Sequence, residues 1–93
     1  MAALKSLRQP VVHEDLARKH LLSSLPSEIA VLTFGNTRFH NVFRYKARLS
    51  DGSLVTGWRY FVIAPDGLVY HGGSESALGA VRERERLFKK LHG

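Results

Sequence analysis

The clearest pattern in the chain runs from 37 to 49. Its odd positions are Phe39, Asn41, Phe43, Tyr45, Ala47 and Leu49, and its even positions are Arg38, His40, Val42, Arg44, Lys46 and Arg48. A period of two puts these sets on opposite faces of a β-strand, one mostly apolar and one almost wholly basic. Asp51-Gly52 then marks a hairpin, because a type I′ turn needs positive φ at both central residues. A two-residue loop there pairs Tyr45 with Trp58 and Phe43 with Tyr60 on the apolar face, and Arg44 with Arg59 and Val42 with Phe61 on the other. A slip of one residue would set Trp58 against Arg44.

The flanking segments complete a meander. A strand at 29–34 precedes the turn pair Gly35-Asn36, and a strand at 54–64 is apolar on both faces apart from Arg59, as expected of a central strand. Ala64-Pro65-Asp66-Gly67 has the composition of a type I turn with glycine in the left-handed position. It leads to a returning strand at 68–71 that Gly72-Gly73 ends. If Pro65-Asp66-Gly67 forms a three-residue loop, His71 falls beside Phe61.

Helices are predicted at both ends. At 12–24, Glu14 and Asp15 occupy a first turn whose dipole favours acid, Leu16, Ala17, Leu21 and Leu25 make an apolar stripe, and Pro26 blocks continuation. Ser74 or Ser76 can cap a last helix to about 91, with Lys89 and Lys90 late and Ala77, Leu78, Val81, Phe88 and Leu91 on its buried side. The expected fold is therefore α+β: a four-stranded antiparallel meander with an N-terminal and a C-terminal helix, in the order αββββα. One domain at 11–93 follows a flexible arm at 1–10.

Composition narrows the function classes. The 93 residues include no cysteine, which excludes disulfides, thiolate metal sites and cysteine nucleophiles. The first ten residues lack the apolar core of a signal peptide, and no apolar run approaches the roughly 20 residues needed to cross a bilayer, so a cytoplasmic protein without membrane contact is expected. Fourteen Lys+Arg against eight Asp+Glu give a net charge of +6, which favours anionic partners. A domain this small buries limited surface, and dimerisation is a natural supplement.

The chemistry concentrates in the basic strand. Alternate strand residues stand about 6.6–6.8 Å apart, close to the spacing of successive phosphates along a nucleic-acid strand. Arg38, His40, Arg44, Lys46 and Arg48 are the candidate contacts, with Arg59 joining from the next strand and Phe61 as a stacking residue. The reading is a small, basic, non-enzymatic nucleic-acid-binding protein, for single-stranded or duplex partners. One alternative is a protein-interaction module, an inhibitor or adaptor, acting through the sheet face or the last helix; an ordinary solvated sheet face accounts for the cations equally well.

A second alternative is a metal-independent ribonuclease. The layout is similar, at the level of fold only, to small basic mRNA-cleaving toxins, and His40, Arg44, Arg59 and His71 would have to converge on one face. The five histidines lack metal-ligand spacing, and there is no nucleophile elbow, phosphate-binding glycine loop or dinucleotide fingerprint, so no metal and no cofactor are expected. The charges that alternate from Arg82 to Arg86 suit a solvated helix face.

Overall fold

In the computed structural model, which describes residues 9–25, 28–35 and 39–93, the predicted order αββββα is present. Helix α1 spans Glu14–Ser24, strands β1 to β4 span Ile29–Gly35, Val42–Leu49, Leu54–Ile63 and Val69–Ser74, and helix α2 spans Ala77–His92. The strands form one antiparallel sheet in the order β1-β2-β3-β4. Of the proposed arm at 1–10, residues 1–8 lie outside the described residues, and Gln9 is buried.

The two helices take opposite faces of the sheet. Helix α1 sets Ala17 against Phe61 and Val12, and Leu21 against Leu32 and Ala47; Phe61, Leu32 and Ala47 all lie on the apolar face of the sheet. Helix α2 packs on β3, β4 and part of β2 from the other side, where Val42, Val62 and Ala80 are buried. Ser76 caps α2 by accepting from the Gly79 amide, and Lys89, Lys90 and His92 fill its last turn, in keeping with its dipole.

Strand β2 starts at Val42 rather than at 37. Phe39, His40 and Asn41 form a turn in which Asn41 takes φ of 55°. Asparagine tolerates this left-handed conformation, and its buried side chain makes three hydrogen bonds, one of them from Nδ2 to Gln9 Oε1 at 3.3 Å. Its Oδ1 accepts from the Val12 amide at 2.6 Å, and its Nδ2 donates to the Pro10 carbonyl at 3.1 Å. Asn41 is a buried bracket for the segment leading into α1, so its place in the odd-numbered series was coincidental.

The β2–β3 register differs from the expected one by a residue. Arg44 pairs with Trp58, Val42 with Tyr60 and Phe43 with Arg59. The cause is the turn: the Leu49 amide bonds the Ser53 carbonyl and the Gly52 amide bonds the Leu49 carbonyl, closing a three-residue loop with Gly52 at φ 88°. Asp51 Oδ1 accepts from both the amide and the hydroxyl of Ser53, which fixes the loop and holds the carboxyl below its usual range. The Pro65-Asp66-Gly67 loop repeats the device, with Asp66 accepting from the Leu68 amide, and there the expected Phe61–His71 pair is present.

With this register Tyr45 lies over Gly57, where a Cβ would stand 3.0 Å from the Tyr45 hydroxyl, and Tyr60 covers Gly72 in the same way. The Gly72-Gly73 pair does not end β4, which runs on to Ser74. It supplies the empty space that two β3 side chains, Tyr60 and Arg59, occupy.

Candidate nucleic-acid interface

Three of the expected residues share an exposed surface. Arg44, Lys46 and Arg48 alternate along β2 on the face that carries α2, and all three are exposed. Their cross-strand neighbours are Gly35, Thr33 and Val31 on β1, and Trp58, Thr56 and Leu54 on β3. Antiparallel partners share a face, so the stripe is bordered by small, hydroxylated and apolar side chains. No described acid forms a salt bridge with Arg44, Lys46 or Arg48. Trp58, half-buried, stands directly opposite Arg44 and is the aromatic of this surface.

The remaining expected residues are elsewhere. Arg38 lies outside the described residues. His40 is exposed in the turn before β2 and lines a hollow with Phe39, Val42, Val81, Arg84 and Glu85, beside α2. Arg59 projects from the opposite face, because the one-residue change in register places it across from Phe43. Phe61 is fully buried beneath α1 and makes edge-on contact with Phe43, so no base can reach it. The convergence of His40, Arg44, Arg59 and His71 required for ribonuclease chemistry is therefore absent: Arg59 and His71 lie on the α1 face, His40 and Arg44 on the α2 face.

A different set does meet on the α1 face. The Arg59 guanidinium reaches Ser24 Oγ at 2.9 Å and His71 Nδ1 at 2.7 Å, and the His71 ring lies 4.6 Å from that of His20. Burial, then neighbouring positive charge, holds both histidines below the usual imidazole value; the charges are Lys19 and Arg59 for His20, and Arg59 and His20 for His71. Burial likewise lowers Arg59. His20 carried no periodic signal of its own, since it stands at the margin of the α1 stripe beside Leu21.

The sign of the pH effect follows from these shifts. The folded state prefers the neutral imidazoles, so below the ordinary histidine value of about 6.5 the unfolded chain binds more protons. The stabilising contribution is full above that value and is lost as pH falls through the lower folded-state values. Thermal unfolding in chloride buffer should give a lower Tm at about pH 5 than at about pH 7.5. In His71→Asn the difference should shrink; an unchanged difference would assign the acid sensitivity to other groups.

Helix α2 and the chain ends are joined by a separate polar cluster. Arg84 donates from Nε to the Phe61 carbonyl at 2.8 Å and from NH2 to Gln9 Oε1 at 2.6 Å. Gln9 Nε2 in turn donates to the Ile63 carbonyl and lies 3.3 Å from His92 Nε2. These contacts account for Arg84 as a structural residue. No described helix is long and apolar enough to cross a membrane, and no three described His, Asp or Glu side chains are grouped to hold a metal. Comparison with family models, with curated proteins and with solved structures gives no match to this chain.

Proposed function

We propose that this protein binds nucleic acid, without catalysing its chemistry, through Arg44, Lys46 and Arg48, with Trp58 as the side chain on which an unpaired base stacks. The observation that carries the reading is the stripe itself: three exposed cations at alternate positions of one strand, free of salt bridges to described acids. Arginine supports it further, since its planar fork binds phosphate in a bidentate manner. A second copy of the chain suits the surface poorly, because a two-fold contact would lay one cation stripe upon another.

Fluorescence anisotropy with labelled single-stranded and duplex oligonucleotides tests the proposal. Three phosphate contacts on a single strand give a salt slope of about −2, so affinity should fall roughly fifteen-fold between about 50 and about 200 mM salt. Arg44→Gln with Arg48→Gln should bring the slope to about −0.7 and weaken low-salt binding by about tenfold or more. Trp58 is the only tryptophan, so quenching of its emission by single strands and not by duplex reports stacking. Absent binding at low salt, or binding that the double substitution leaves unchanged, would overturn the proposal.

A further inference from the structure

On the opposite face of the sheet, we propose that Arg59, His20 and His71, with Lys19 at the margin, form a subsite for a phosphate dianion, either free or as a terminal monoester. The site is independent of the β2 stripe, since the two surfaces lie on opposite faces of one sheet.

The argument begins with how Arg59 reaches its position. It crosses from β3 over Gly73 of β4, where a Cβ would stand only 3.0 Å from its NH1. Any other residue at 73 would crowd the guanidinium. The side chain is thereby held flat against the sheet, and one of its terminal nitrogens, NH2, is anchored by both Ser24 and His71. Its Nε is buried with no hydrogen-bond partner, and NH1 has no partner among the described residues. A half-buried guanidinium ordinarily has its donors answered by a carboxylate or carbonyls, as Arg84 does in this same chain with a carbonyl and an amide oxygen. Arg59 has neither.

The surroundings add groups that are cationic or become so on protonation. From α1 come Lys19 and His20, from β4 His71, and from β2 and β3 only the neutral phenols Tyr45 and Tyr60. No carboxylate among the described residues acts on any of the three central groups. Placing two imidazoles 4.6 Å apart beside a guanidinium costs electrostatic energy whenever either is protonated. An anion seated among them reverses that sign. It accepts from the guanidinium and from a protonated imidazole, and so returns the histidines toward their charged form. The geometry favours a compact ion with several acceptor oxygens over an extended chain, because the guanidinium and the two imidazoles are clustered, with Arg59 NH2 2.7 Å from His71 Nδ1 and the His71 ring 4.6 Å from that of His20, instead of repeating along a strand. A phosphate dianion fits that description, and arginine is the side chain best matched to it.

Histidine NMR on the intact chain tests the site, with inorganic phosphate, a nucleoside 5′-monophosphate and sulfate as probes and chloride at matched ionic strength as reference. Sulfate keeps a constant charge across the histidine range and removes the probe's own titration from the result. The pKa values of His20 and His71 should rise by about one unit with bound probe, which corresponds to roughly tenfold tighter binding to the form carrying the additional proton. His40, exposed on the other face, should not move. Response to inorganic phosphate and to the monophosphate alike identifies a free-phosphate site, whereas response to the monophosphate alone identifies a terminal phosphate ester. Arg59→Gln should abolish the shifts. Should that variant not fold, Lys19→Gln, a change at an exposed position, should still weaken binding by about threefold. Arg44→Gln with Arg48→Gln should leave the shifts intact, which separates this site from the stripe. Shifts at His20 and His71 no larger than at His40, or shifts that persist in folded Arg59→Gln or are unchanged in Lys19→Gln, overturn the proposal.

Discussion

Exchanging Asn41 for leucine is expected to destabilise the fold by about 2–5 kcal/mol, although the two side chains differ little in size. Two independent costs make up this figure. A non-glycine, non-asparagine residue held at φ 55° costs roughly 1–2 kcal/mol. The buried Val12 amide, now bonded to Asn41 Oδ1, would lose its acceptor, which costs about 1–3 kcal/mol. Asn41→Gly separates them, since glycine accepts the backbone conformation freely and forfeits only the side-chain bonds. It should recover the backbone part, and urea denaturation of the three proteins measures each term. A leucine variant within about 0.5 kcal/mol of the parent would remove Asn41 from any structural role, because changes of that size are usual for ordinary surface positions.

Phe61→Ala gives the second large effect, and it also discriminates between two roles. As a fully buried ring in contact with Val12, Ala17 and Phe43, Phe61 should cost about 3–5 kcal/mol when truncated. A domain of this length has roughly 5–14 kcal/mol in total, so the variant should unfold close to working temperature. Thermal melting checks this directly. A base-stacking Phe61 would behave in the opposite way, with weakened nucleic-acid binding and an unchanged Tm. Trp58→Ala, at a half-buried position, is expected to weaken nucleic-acid binding with a smaller loss of Tm than Phe61→Ala.

The exchange of roles between Phe61 and Trp58 shows where the sequence was legible and where it was not. Alternation along β2 sorted Arg44, Lys46 and Arg48 from Phe43, Tyr45 and Ala47 correctly, because that pattern depends only on the strand's own period. The assignment of faces on β3 depended on the loop between them. Asp51-Gly52 is compatible with a two-residue or a three-residue turn, and the choice moves every β3 side chain to the other face. The signal that separates them was present: Ser50-Asp51-Gly52 resembles Pro65-Asp66-Gly67, where a three-residue loop is used. Asn41 was missed for a different reason. Its left-handed backbone is imposed by contacts with Pro10 and Val12, about thirty residues earlier in sequence, and local periodicity carries no trace of them.

The clasp among Gln9, Arg84, Ile63 and His92 also bears on the order in which the molecule assembles. Every strand pairs with its nearest neighbour in sequence, so the sheet closes only short loops as it forms and pays little chain entropy at each step. Gln9 and His92 are 83 residues apart, the widest separation bridged by a hydrogen bond among the described residues. Such a contact gains nothing until the meander and α2 have already brought the two ends together. It is therefore a late event, absent from the folding nucleus, and its contribution falls almost wholly on the rate of unfolding. The ends act as a latch: they do not help the sheet to find its shape, but they govern how long the finished molecule keeps it.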